Sequence, residues 1–172
     1  KLILPIGTDS DYVNAIAITR DDKIILAGSC INGTDFDFCV ARINYNGSVD
    51  TTFSTNGSTI TNVASDVSDA SAVAIQPDGK IVLAGTCGAG VSNRDFCLVR
   101  YDIDGSFDAT FSGNAIPRTD VSQSDSSNAV LVQADGKIVV AGSCQYTSGN
   151  STFSVDCAAR YVSGPFTYQA CS

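Results

Sequence analysis

Seven cysteines and eighteen acidic residues, every one of the latter an aspartate, carry most of the chemistry this 172-residue sequence can offer. Six cysteines stand in matched places: Cys30 and Cys39, Cys87 and Cys97, Cys144 and Cys157. Their ordinary fates are disulfide bonds or zinc ligation. Zinc sites favour closely spaced Cys pairs, often completed by histidine, and the chain has no histidine. Disulfides within each pair, closing short loops and contributing roughly 2–3 kcal/mol each, are the expectation. Cys171 is left over: free, in an intermolecular bond, or displacing one of the third-unit pairings.

The aspartates suggest two further chemistries. Asp102, Asp104 and Asp108 surround Gly105. Oxygen-rich turns of this kind can hold Ca²⁺, and Asp and Asn before Gly are equally what a tight turn prefers; both readings stay open. Repeat 1 carries Asn44, Asn46, Gly47 and Asp50 in the same places. Paired carboxylates such as Asp35 and Asp37 could serve a glycosidase, but they fall in a variable loop. Without histidine there is no Ser-His or Cys-His pair, and LAGTCGAG at 83–90 has no helix to follow it as a phosphate loop would need. The expectation is a protein that is not an enzyme, with no cofactor beyond possible calcium at Asp102, Asp104 and Asp108.

These residues are placed by a repeat. AIAITRDDKIILAGSC at 15–30 returns as AVAIQPDGKIVLAGTC at 72–87 and AVLVQADGKIVVAGSC at 129–144. Lys23, Lys80 and Lys137 are spaced 57 residues apart. A second block follows each copy: DFCVARINYNGSVDTTF, DFCLVRYDIDGSFDATF, then the degraded VDCAARYVSGPF. Each unit reads as an apolar strand, a Pro-Asp-Gly-type turn, a second strand (Lys80 to Thr86), a third (Phe96 to Tyr101), and a weaker fourth (near Ser58 to Val63). Four short antiparallel strands per unit suggest propeller blades. The fold class expected is all-β, one repeat domain over 1–172 with units of approximately 1–57, 58–114 and 115–172.

The pattern AIQPDGKIVLAG…DFxLxRYxxDGSxDxxFSxNG resembles the delta-60 repeat of bacterial surface and secreted proteins. The likeness covers nearly the whole chain and breaks off in the third unit, where SGPFTYQACS replaces the DGSxDxxF segment. It implies a β-propeller scaffold and no activity.

Smaller features follow from the repeat. Arg42, Arg100 and Arg160 end the third strands and are expected to pair with a repeated aspartate, Asp50 or Asp108. Lys23, Lys80 and Lys137 read as solvated charges, and Phe36, Phe38, Phe53, Phe96 and Phe111 as core. KLILPIG, Lys1-Leu2-Ile3-Leu4-Pro5-Ile6-Gly7, aligns with the fourth strand at 58–64, while the third unit lacks room for its ordinary one unless PFTYQAC is a substitute. The expectation is that residues 1–7 are donated to the edge of a third strand near Ala158 to Val162; the alternatives are that they fold back locally or that the chain is a fragment of a longer propeller. Blades completed by this N-terminal exchange would join copies head to tail, as a closed ring or a filament.

A formal charge of −8 argues against nucleic acid and anionic membranes as partners. No apolar run approaches the length that spans a bilayer, so membrane insertion is not expected. The expected partner is a second copy. Cysteine content points to an extracellular or cell-surface location with Lys1 as a processed start. Asn32, Asn46, Asn56 and Asn150 head glycosylation triplets. The alternative is a secreted propeller that binds a glycan or protein, which predicts exposed aromatics among Tyr45, Tyr101, Tyr146 and Tyr161.

Overall fold

The turns between first and second strands set the fold. In each unit a four-residue turn closes on a backbone pair: Thr19 N to Lys23 O, Gln76 N to Lys80 O and Gln133 N to Lys137 O, each 2.8 Å. The residue before each lysine has a left-handed backbone. Gly79 and Gly136 adopt φ +89° and +81°, and Asp22 takes the same place at +59°. Aspartate tolerates that region better than most side chains, which is why DDK substitutes for DGK.

The computed structural model describes residues 4–64, 68–88, 90, 93–111, 116–161 and 168–170. It consists of three four-stranded antiparallel sheets, each a simple meander. Blade 1 is β1 (Asp11–Ile18), β2 (Ile24–Asn32), β3 (Asp35–Ile43) and β4 (Ser58–Thr61). Blade 2 is β5 (Ser68–Ile75), β6 (Ile81–Gly88), β7 (Arg94–Tyr101) and β8 (Arg118–Thr119). Blade 3 is β9 (Ser124–Val132), β10 (Ile138–Ser148), β11 (Ser151–Tyr161) and β12 (Tyr168–Ala170). The first strands β1, β5 and β9 touch in turn along the inner side, as blade-lining strands do in a propeller.

Strand alternation gives every blade two apolar faces, and the structure tells them apart. Ile25, Ala27, Phe38 and Val40 of blade 1 meet Ile81, Leu83, Cys87, Cys97, Val99 and Tyr101 of blade 2 in one core. The opposite face of blade 2, Val82, Ala84, Phe96 and Leu98, meets Ile138, Val140, Ala159 and Tyr161 of blade 3 in a second. Each blade therefore has a forward face and a back face, and sequential blades stack forward onto back. Phe38 is the deepest element of the first junction. A Cβ on Gly85 would run into its ring, so the glycine makes its seat.

Two expectations change here. β4 at Ser58–Thr61 pairs with β3, so each sheet is closed by the strand that follows it and the first unit extends past residue 57. The third blade has a fourth strand, and it falls within the PFTYQAC substitute: β12 pairs Ala159↔Ala170, Arg160↔Gln169 and Tyr161↔Tyr168. This occupies the edge expected to accept a donated strand, because the SGPFTYQACS tail supplies the partner that the lost repeat segment does not. Leu4 to Gly7 is not a strand in the single chain. Ile6 N and Gly7 N donate to the Asp11 carboxylate at 2.7 and 2.9 Å, holding the segment to its own blade as a lead-in. The Asp125 carboxylate does the same for Val121 N and Ser122 N. Lys1 to Ile3 and Cys171 lie outside the described residues.

Candidate functional site

The three cysteine pairs are joined: Cys30–Cys39, Cys87–Cys97 and Cys144–Cys157, with Cα separations of 5.8, 5.8 and 5.9 Å. Register explains the pairing. Cys30 lies opposite Asp37 and Gly28 opposite Cys39, so the two thiols are diagonal neighbours on one face of adjacent strands. That face is the back face, and in blades 2 and 3 the bridge is buried against the preceding blade. Such bridges place the chain in an oxidising environment. Among the described residues no helix is long and apolar enough to cross a membrane.

The second recurrent constellation is a buried charge network at the outer corner of blades 1 and 2. Arg42 Nε donates to Asp50 Oδ2 at 2.7 Å, and Lys23 Nζ to the same oxygen at 2.8 Å. Arg100 Nε and Lys80 Nζ converge on Asp108 Oδ2 at 2.8 Å each. The other carboxylate oxygen accepts Thr52 N and Oγ1 in blade 1 (3.1 and 2.6 Å), and Thr110 N and Oγ1 in blade 2 (2.9 and 2.5 Å). The guanidinium planes lie over Phe53 and Phe111, 4.6 and 4.2 Å from the ring centroids. Arg42 Nη1 also donates to Ile103 O at 2.5 Å, which ties blade 1 to the corner of blade 2.

This network accounts for the aspartate and phenylalanine that end the DGSxDxxF segment, Asp108 and Phe111 in blade 2. It also corrects the reading of Lys23 and Lys80 as solvated: both are half-buried and each neutralises the aspartate shared with the arginine. Burial by itself would raise the Asp50 and Asp108 carboxyls. The lysine, threonine and arginine donors outweigh it and hold both well below the usual carboxylate range. Blade 3 keeps Lys137 and Arg160 but not the aspartate, and Lys137 turns instead to Asp135 in its own turn.

A group whose pKa is lowered by folding contributes stability that is present above its unfolded value and lost as pH falls toward the folded one. Wild type is therefore expected to lose stability steeply below about pH 4, and Asp50→Asn with Asp108→Asn to flatten that loss. Urea midpoints from pH 2 to pH 7 measure it. An unchanged slope in the double variant would contradict the network's role.

The three carboxylates considered for calcium are directed to protein donors. Asp102 and Asp108 both bond Lys80 Nζ. Asp104 Oδ1 accepts Ser106 N and Oγ at 2.9 and 2.6 Å, closing its own turn. The four tyrosines are divided. Tyr45 is 82% exposed and Tyr146 stacks on Phe153, whereas Tyr101 and Tyr161 are buried. Tyr101 shares a hydrogen bond with Thr61 at 2.6 Å, and Tyr161 donates to Thr119 at 2.8 Å. Both bonds reach back to the fourth strand of the preceding blade. These two tyrosines are junction anchors, not part of an exposed aromatic cluster.

One junction device was not singled out in the sequence. β1, β5 and β9 each skip one residue in their pairing, at Asn14, Ser71 and Asn128. Bulges re-aim a side chain, and these aim forward. Asn14 Nδ2 donates to Ala70 O at 2.9 Å, and Ser71 Oγ pairs with Ser127 Oγ at 2.8 Å. The signal was present: each stands nine residues before the repeat lysine.

Three stretches, residues 19–53, 76–111 and 133–155, match a family described as a domain of unknown function (DUF5122) beta-propeller. Together they make up more than half of the chain. The chain belongs to the DUF5122 beta-propeller family. In blades 1 and 2 the DUF5122 match runs through the corner network to Phe53 and Phe111. In blade 3 it stops at residue 155, before the place where that corner is missing. No curated protein matches the chain.

Proposed function

We propose that this chain is a non-enzymatic structural protein of an extracellular or cell-surface setting, whose blades add head to tail onto those of a second copy. The product is a closed ring of six blades or, if the rotation does not close, a filament. One observation carries the reading: the back face of blade 1 repeats the two back faces buried inside the chain. Ile24, Leu26 and Cys39 stand where Ile81, Leu83 and Cys97 meet blade 1. Ile16 and Ile18, each 67% exposed, stand where Val73 and Ile75 are packed in blade 2, and Val130 and Val132 in blade 3.

The forward face of blade 3 offers part of the complement. Val139, Ala141 and Ala158 take the places of Val82, Ala84 and Leu98. Asn128 is exposed at the bulge position, where it would reach the Val13 carbonyl of a second copy as Asn14 reaches that of Ala70. Two departures weaken this junction relative to those within the chain. Asp156 replaces Phe38 and Phe96, and Ile43 replaces Tyr101 and Tyr161. Donation of Lys1 to Gly7 would have to displace β12, so stacking of faces is the contact proposed. The resemblance to delta-60 repeats of surface and secreted proteins fits this setting.

Light scattering on a sizing column tests it. Wild type is expected to grow in mass with concentration, and Ile16→Asp/Ile18→Asp to stay at single-chain mass with unchanged circular dichroism. Wild type at single-chain mass throughout, or undiminished assembly in the double variant, would overturn the proposal.

A further inference from the structure

The junction between blades 2 and 3 holds a second acidic group, distinct from the corner networks. Asp95 lies on β7, Asp120 in the connector after β8, and Asp125 on β9. One carboxylate oxygen of each lies within 4.8 Å of the other two. Asp95 and Asp125 are 3% and 1% exposed, while Asp120 is exposed. Carboxylates so close, two of them withdrawn from water, repel one another strongly unless a cation intervenes. Among the described residues one ion pair reaches the group, Arg118 Nε on Asp95 Oδ2. Three carboxylates against one guanidinium leave a deficit of two positive charges.

The second observation concerns Asp125 itself. Its Oδ2 accepts Val121 N and Ser122 N at 2.7 and 3.3 Å. Its Oδ1 is buried and has no hydrogen-bond partner. Buried acceptors are nearly always satisfied, and an orphaned carboxylate oxygen calls for an explanation. The junction of blades 1 and 2 does not reproduce the arrangement. Asp37 stands at the Asp95 position there and its Oδ1 is likewise buried without a partner, but Ser68 replaces Asp125 and Val63 replaces Asp120, so no second and third carboxylate join it. The cluster therefore belongs to one junction and is not a by-product of the repeat.

We propose that Asp95, Asp120 and Asp125 bind a divalent cation, Ca²⁺, with Asp125 Oδ1 as one of its ligands. An all-oxygen donor set suits a hard cation. Calcium's flexible coordination of six to eight oxygens lets water fill the positions on the exposed Asp120 side. Two buried, fixed carboxylates and one mobile one resemble the weaker calcium sites of extracellular modules, so a dissociation constant of about 0.1–1 mM is expected. Bound calcium would fasten the blade 2–blade 3 junction, since its ligands come from the third strand of blade 2, the connector after β8 and the first strand of blade 3.

The test uses the whole chain at neutral pH with CaCl₂ titrated at constant ionic strength. Calorimetry is expected to show saturable binding, and thermal unfolding a midpoint that rises with calcium. Tb³⁺ serves as an optical probe. Tyr161 donates to Thr119, the neighbour of Asp120, at 2.8 Å and is placed to sensitise its luminescence, which Ca²⁺ should displace. Asp120→Asn, at an exposed position, should fold normally and weaken binding at least tenfold; Asp125→Asn should abolish it. No saturable heat up to about ten times the expected constant, or equal binding by wild type and Asp120→Asn, would overturn the site.

Discussion

Asp108→Ala is expected to cost the fold about 3–5 kcal/mol, the range found when one member of a buried charge pair is removed. The reason is what remains. The Asp108 side chain is 2% exposed and receives both Arg100 and Lys80, so its loss leaves Arg100 without its carboxylate and Lys80 with Asp102 alone at a largely buried corner. It also removes the acceptor for Thr110 N and Oγ1. Urea unfolding with an unchanged m-value would measure the loss. Asp104→Ala is the control, because that carboxylate only closes an exposed turn and its removal should have little effect. Replacing Asp108, Arg100 and Lys80 together by apolar residues should recover much of the loss, since most of the penalty lies in the stranded charges. Equal effects of Asp108→Ala and Asp104→Ala would show that the corner is not a structural anchor.

Phe38→Ala is expected to destabilise by about 3–5 kcal/mol, as large-to-small changes of buried aromatics do. Phe38 is fully buried and projects from blade 1 into blade 2, where Gly85 leaves room for its ring. The cavity cannot collapse easily, because the seat is formed by the paired backbones of β5 and β6. Phe38→Leu should cost much less, having a side chain that still reaches the glycine. Phe36→Ala provides the contrast: Phe36 is partly exposed and packs at a tilt against Tyr12, ring centroids 5.6 Å apart. If Phe36→Ala and Phe38→Ala were equally costly, the forward face would not be the stacking surface described.

Much of the architecture could be read from the sequence because the information is local and repeated. The hairpin turns, the disulfide pairs and the Arg–Asp contacts each lie within a few residues to a dozen of one another, and each recurs. What escaped depends on partners far apart in the chain. Lys23 finds Asp50 across 27 residues and Lys80 finds Asp108 across 28. Tyr101 and Tyr161 looked like surface aromatics because their threonine partners lie on the preceding blade, 40 and 42 residues away. The closing strand β12 was legible only as an alternative, PFTYQAC standing in for the lost segment, because three residues of pairing outside the repeat leave little pattern to read. The Asp95–Asp120–Asp125 cluster carries no motif at all, since it draws one residue from each of three separate elements.

Sedimentation velocity of Asp156→Phe beside wild type tests the central claim most directly. Asp156 occupies the place from which Phe38 and Phe96 reach into the next blade. If blade faces of separate copies stack, restoring a phenylalanine there adds buried apolar surface and removes a charge. Self-association should then tighten at least tenfold, equivalent to about 1.4 kcal/mol. A folded Asp156→Phe variant that associates no more than wild type would contradict the account, because the forward face of blade 3 would then have no blade to meet.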